Sequence, residues 1–105
     1  MQTSSEKQVG VQVFHIRRKV DGIPEMSGGY TVIVKERQDG RYNVTISQCH
    51  VRQRYDEKLG EKIALSRMKQ GLYFATDWKG VEDTLNTLRS KVSEAAPLAE
   101  ALLVA

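Results

Sequence analysis

Val9, Val11 and Val13 alternate with Gly10, Gln12 and Phe14 before the chain runs into Ile16-Arg17-Arg18-Lys19-Val20. A period of two puts successive side chains on opposite faces, so a strand is predicted over residues 8–20. Two further β-rich runs, Tyr30–Val34 and Arg41–Ile46, are separated by Gln38-Asp39-Gly40. Asp-Gly between such runs is a strong hairpin signal, because glycine accepts the positive φ of a tight turn. Residues 21–29, with Pro24 and Gly28-Gly29, read as a long connection, and residues 1–7 are polar and aperiodic, as in a frayed terminus.

On the third strand Tyr42, Val44 and Ile46 share one face, and Asn43, Thr45 and Ser47 the other. One side is therefore expected to be core and the other wet or interfacial. The second strand is less clean, since Ile33 lies opposite Tyr30, Val32 and Val34.

Helical periodicity takes over afterwards. Tyr55–Gln70 reads as a first helix, with Asp56 and Glu57 at its positive end, Lys69 near its negative end and Gly71 as a left-handed cap. Tyr55, Leu59 and Ile63 form one apolar stripe, and Ala64, Leu65, Met68 and Leu72 another on roughly the opposite side. Such a helix is either sandwiched between the sheet and a second helix or shared with another subunit. A second helix is capped by Thr76 or Asp77 and runs to about Ala95, and its narrow seam of Val81, Leu85, Leu88 and Val92 suits one partner helix. Pro97 breaks the pattern and opens a short terminal helix, Leu98–Val104, whose apolar residues point to a homo-oligomer. The expected fold is α+β: a three-stranded antiparallel sheet, covered on one face, followed by two helices and a short C-terminal helix.

Composition narrows the class. With 105 residues, 40% apolar and 28% charged, the chain fits one domain over residues 1–105. It has no apolar run of transmembrane length, and Met1–Ser5 lacks a signal-peptide plan, so a cytoplasmic protein with no membrane partner is expected. The one cysteine, Cys49, excludes an internal disulfide and a paired-cysteine metal site. Its neighbour His50 would point to the opposite face of a strand, leaving His15 alone to help, so neither metal nor cofactor is expected. Net charge is +3, unevenly spread: +5 over residues 1–70 and −2 over 71–105. The basic part is the candidate binding half, suited to phosphates or acidic surfaces.

No Walker loop, dinucleotide fingerprint, zinc-protease motif or nucleophile elbow occurs in the sequence. The carboxylate pairs Asp56-Glu57 and Glu82-Asp83 fall in first helical turns, where the helix dipole already accounts for them. A binding protein is expected, and not an enzyme. Ser27-Gly28-Gly29-Tyr30 is a loop or, less simply, an anion cradle. Lys58, Lys62 and Lys69 make a positive stripe on the first helix. Arg67, bordered by Ile63, Ala64 and Gly60, suits either a phosphate clamp or an ion pair within the fold. Arg52 and Arg54 flank Tyr55 at the strand-to-helix junction. Together with a helix N-terminus they describe a nucleotide site, base on Tyr55 and phosphates on the arginines, unless Tyr55 is the first core residue of its helix. The candidate ligand-binding set is Arg52, Arg54, Tyr55 and Arg67.

From Asp39-Gly40 to Gly71, about a third of the chain, the hairpin ending in Cys49, then Tyr55, Leu59-Gly60, Ile63-Ala64 and Arg67, resembles a group of small phage-encoded accessory proteins. The order of elements is similar to that of phage anti-defence proteins that sequester the cyclic nucleotide signals of Thoeris and related bacterial immunity systems. That resemblance implies a homo-oligomer in the host cytoplasm that binds a cyclic nucleotide or other phosphorylated small molecule without cleaving it. The chain departs from the pattern at Gln53, where an acidic residue is usual, and at Val51, where proline is common. It also resembles double-stranded-RNA-binding domains, with the leading helix missing and Asp56-Glu57-Lys58 in place of the lysine pair, which implies nucleic-acid binding. A small inhibitor that docks on a host enzyme through its sheet edge is the third reading.

Overall fold

A computed structural model describes residues 10–104, and for Val51 and residues 93–104 it describes the backbone. The elements are β1 (Val11–Ile16), β2 (Lys19–Val20), β3 (Ile23–Pro24), β4 (Ser27–Glu36), β5 (Tyr42–Arg54), α1 (Glu57–Lys69), β6 (Phe74–Thr76) and α2 (Trp78–Val104). The fold is α+β, with a four-stranded antiparallel sheet in the order β1-β4-β5-β6 and a separate β2-β3 ribbon among the described residues.

The hairpin stands where Asp39-Gly40 puts it. Glu36 pairs with Tyr42, Gly40 takes a φ of 83°, and the Asp39 carboxylate accepts from the Arg41 amide at 2.9 Å. The predicted single strand over residues 8–20 is instead broken after Ile16. Asp21 and Gly22, at φ of 53° and 79°, turn the chain so that Lys19 and Val20 pair with Pro24 and Ile23. Two successive positive φ angles make the same kind of tight turn that a two-residue Asp-Gly hairpin requires. The connection over residues 21–29 is thus partly strand, and β4 already begins at Ser27.

Three strands become four because Phe74-Ala75-Thr76 pairs with Val44, Asn43 and Tyr42. Three residues are too few to show an alternation, so this edge strand left no periodic signal. It also separates the two helices in the chain. Gly71, at a φ of 80°, ends α1 as expected.

The helices cover opposite faces, correcting the expectation of a sheet covered on one. Val81, Leu85 and Leu88 of α2 cluster with Ile16, Val32, Val34 and Val44, with Val92 packed at the margin. The seam spacing was informative, but its partner is the sheet and not a helix. Alternation sends Thr31, Ile33, Thr45 and Ser47 to the other face, where all four are buried. This polar face, expected to be wet or interfacial, lies under α1, which approaches closely through Gly60 and the fully buried Ala64. α1 leaves Leu59 and Leu65 exposed.

α2 is capped by Asp77, whose carboxylate accepts from the Gly80 amide at 2.8 Å, and it runs unbroken past Pro97 to Val104. The predicted break and separate terminal helix are therefore replaced by one helix. Proline removes one N–H bond, but Ala95, Ala96, Leu98 and Ala99 around it include the strongest helix formers, and the turns on either side carry the backbone through. The predicted apolar packing of Leu98–Val104 falls outside the described side chains, and the frayed terminus at residues 1–7 outside the described residues.

Candidate functional site

Tyr55 is the centre of a polar network that joins three strands to α1. It follows β5 directly, and its amide donates to the Met26 carbonyl at 2.7 Å. With 9% of its surface exposed, the ring lies against the backbone of Gly29, whose φ of 135° and near contacts to Tyr55 and the Ile16 carbonyl leave no space for a Cβ. The Arg17 guanidinium stands 4.7 Å from the ring centroid in cation–π geometry. At the inner end, the Tyr55 hydroxyl donates to the Tyr30 carbonyl at 2.9 Å and lies 2.8 Å from the Thr31 hydroxyl and 2.7 Å from His15 Nδ1. His15 Nε2 reaches the Glu61 carboxylate of α1 at 3.0 Å. Burial raises the Tyr55 phenol above its ordinary pKa, against the smaller opposing effects of the Thr31 hydrogen bond and the Arg17 charge.

The four residues singled out from the sequence do not converge. Arg67 donates to the Ile46 carbonyl at 2.8 Å, so its bonding partner is a backbone oxygen and not a carboxylate. Arg52 and Arg54 are exposed on the last residues of β5. There the ladder is irregular: Ser27 pairs with Arg54 and Gly29 with Cys49, so His50 to Gln53 stand opposite the single residue Gly28. Within this irregular stretch the Arg52 amide donates to His50 Nδ1 at 3.1 Å, and the Cys49 thiol lies 3.3 Å from the Gln53 carbonyl. Arg54 and Tyr55 do share a pocket of about 290 Å³ with Cys49, Ser47 and Leu59. Ser27-Gly28-Gly29-Tyr30 is part of β4 with both glycines buried, which removes it as an open anion cradle.

A cluster of positive charge among the described residues lies elsewhere. Arg17, Arg18, Lys19 and Arg89 line one open cleft of about 840 Å³, with His15 and Glu57 on its walls. Arg17 bonds the Glu25 carbonyl, while its Nε is buried without a hydrogen-bond partner among the described residues. Arg18 pairs with the Glu25 carboxylate at 2.6 Å, and Arg89 bonds Asn86 at 3.1 Å. Lys19 is exposed on the β2-β3 ribbon. The Arg17-Arg18-Lys19 run was visible in the sequence but was read there only as strand. Its convergence with Arg89, seventy residues on, follows from the packing of α2 across β1.

Among the described residues, no three His, Cys, Asp or Glu side chains gather in a metal-binding group, and no helix is long and apolar enough to cross a membrane. No family model matches the chain, and neither a curated protein nor a solved structure gives a significant match.

Proposed function

We propose that the chain is a non-enzymatic binding protein for a phosphorylated ligand, in its most specific form a cyclic nucleotide immune signal sequestered by a homo-oligomeric phage anti-defence protein. The observation that supports this reading is the cleft that collects Arg17, Arg18, Lys19 and Arg89. Guanidinium groups present several donors to phosphate oxygens, and a cluster of them attracts an anion before contact. The Glu25 carboxylate and carbonyl and the Tyr55 ring hold Arg17 and Arg18 in place, which lowers the cost of ordering them around a ligand. Both nitrogens of His15 are engaged, by Tyr55 and Glu61, which favours a structural task over acid–base work in the same cleft.

Calorimetry of the full chain with a panel of cyclic nucleotides tests the reading. A Lys19→Gln, Arg89→Gln double variant removes two charges from exposed positions and should weaken binding at least tenfold, since a charge-assisted contact contributes about 1.5–3 kcal/mol. The ligand recovered from the complex should be intact by mass spectrometry. If no cyclic nucleotide binds while duplex RNA does, with affinity falling steeply as salt rises, nucleic-acid binding replaces it.

A further inference from the structure

The cleft that gathers the basic side chains also follows a sheet edge. Residues 13–19 line it without a break, with Glu57 of α1 on one side and Arg89 and Val92 of α2 on the other. We infer that this edge takes up an extended acidic segment of a partner protein, which adds to β1 as a further strand and sets its carboxylates against Arg17, Arg18, Lys19 and Arg89. The inference goes beyond the phosphorylated-ligand reading, because it draws on backbone groups that a nucleotide does not need.

The register leaves β1 with bonding groups to offer. The Glu36 amide donates to the Gly10 carbonyl, and from Val11 opposite Lys35 to Ile16 opposite Tyr30 the pairing runs without a shift. Every second pair of an antiparallel ladder exchanges backbone hydrogen bonds. Gly10, Gln12, Phe14 and Ile16 therefore bond inward to β4, and the amides and carbonyls of Val11, Val13 and His15 point away from it. Among the described residues β1 ends the sheet, with β4 as its one neighbour. Natural edges are kept from pairing by shortness, by proline or by charged side chains on the strand. β6, at the other end of the sheet, is three residues long. β1 is six, contains no proline, lysine, arginine or carboxylate, and leaves Val13 41% exposed.

The surroundings select the occupant. Four cations line the cleft against one carboxylate, Glu57, so an incoming acidic chain is attracted and a basic one repelled. Because α1 and α2 lie on opposite faces of the sheet, the edge between them is open to a single strand, and not to a second layered domain. A second copy of this chain fits less well: its β1 brings no carboxylate and carries its own two helices to the edge. A segment in the strand-addition mode gains affinity from main-chain bonds and specificity from its side chains, here from acidic residues near the Arg17-Arg18-Lys19 end.

The test is amide hydrogen exchange of the full chain, followed by NMR, with an octapeptide of alternating glutamate and valine as the probe. Its binding should slow exchange at Val13 and His15 by about tenfold or more, since their amides pass from solvent into a ladder. A lysine–valine octapeptide and the fully N-methylated acidic peptide, which has no amide hydrogens to offer, should both bind at least tenfold more weakly. Lys19→Gln, Arg89→Gln should weaken the acidic peptide roughly tenfold, whereas Lys62→Gln, Lys69→Gln, which removes the same charge from α1, should bind it as the parent does. The inference is overturned if the acidic peptide does not bind, if the lysine–valine or N-methylated peptide binds equally, if both charge variants lose equally, or if Val13 and His15 are already protected by self-association of the free chain. An acidic peptide that binds without protecting Val13 and His15 also overturns it, while leaving the cleft as an anion site. Protection by the peptide in a chain that binds no cyclic nucleotide supports it and removes the nucleotide reading instead.

Discussion

Gly60 lies so close to Thr31 that a Cβ on Gly60 would stand 2.3 Å from the threonine Oγ1. That oxygen cannot simply swing aside, because it is buried and bonded to the Tyr55 hydroxyl at 2.8 Å. Gly60→Ala should therefore destabilise the protein by about 1–2 kcal/mol, although alanine in a helix interior is otherwise favoured by about 1 kcal/mol. Urea unfolding measures the sign. Ser66→Ala, on the exposed side of the same helix, should stay within about 0.5 kcal/mol of the parent.

Tyr55→Phe keeps the buried ring and removes only the hydroxyl. For a ring that only stacks on a base, that change would be harmless. In the fold the hydroxyl serves the Tyr30 carbonyl, Thr31 and His15, so its loss removes those bonds and leaves Thr31 and His15 to each other at 3.2 Å. A cost of about 1–3 kcal/mol is expected, and at this chain length each kcal/mol lowers the melting temperature by roughly 4–8 °C. A variant melting within 1 °C of the parent, an order-of-magnitude threshold on that scale, would remove Tyr55 from its central place.

The same phenol sets the alkaline limit. Burial raises its pKa in the fold above the ordinary value of 10.0. Above the unfolded pKa, the folded state retains a proton that the unfolded chain releases, so stability must fall as pH rises from there toward the folded pKa. Tyr55→Phe should flatten this part of the profile. Unfolding free energies compared at mildly alkaline pH and beyond the phenol range, for parent and variant, check the sign.

Much of the architecture was legible because the chain announces it locally. Asp39-Gly40 specifies the hairpin, Gly71 ends α1, Asp77 starts α2, and the spacing of Val81, Leu85, Leu88 and Val92 defines the buried stripe. What covers a stripe is a tertiary fact, and the sheet took the place expected of a partner helix. The polar face of β5 misled for a related reason. Thr45 and Ser47 look solvated in a linear pattern, yet a glycine on the facing helix lets them be buried. The candidate site was less legible still, because Arg17 and Arg89 meet only through the packing of α2 on β1, and no spacing records that distance.

Arg67→Gln separates a structural arginine from a ligand clamp. Its guanidinium donates to the Ile46 carbonyl from an exposed position, so the loss of stability should be modest, about 0.5–1.5 kcal/mol. Ligand affinity in calorimetry should match the parent. An affinity loss of tenfold or more with an unchanged melting temperature would return Arg67 to the binding site.

Assembly should depend on the last part of α2. The core seam ends at Val92, while the helix continues to Val104 and its sequence there carries Leu98, Leu102, Leu103 and Val104. At 1.5 Å per residue, α2 is about 40 Å long, so its last turns extend well beyond the seam that holds it to the sheet. Removing residues 97–105 takes no residue from the described core, and the fold should survive with a near-parental melting temperature. If those apolar residues join copies of the chain, the truncated protein should sediment at a lower mass than the intact one. Sedimentation of the intact chain as a strict monomer at roughly tens of micromolar, where micromolar contacts are populated, would rule the assembly out. An oligomer that survives the truncation would instead transfer its interface to another surface, such as α1, where Leu59 and Leu65 are exposed.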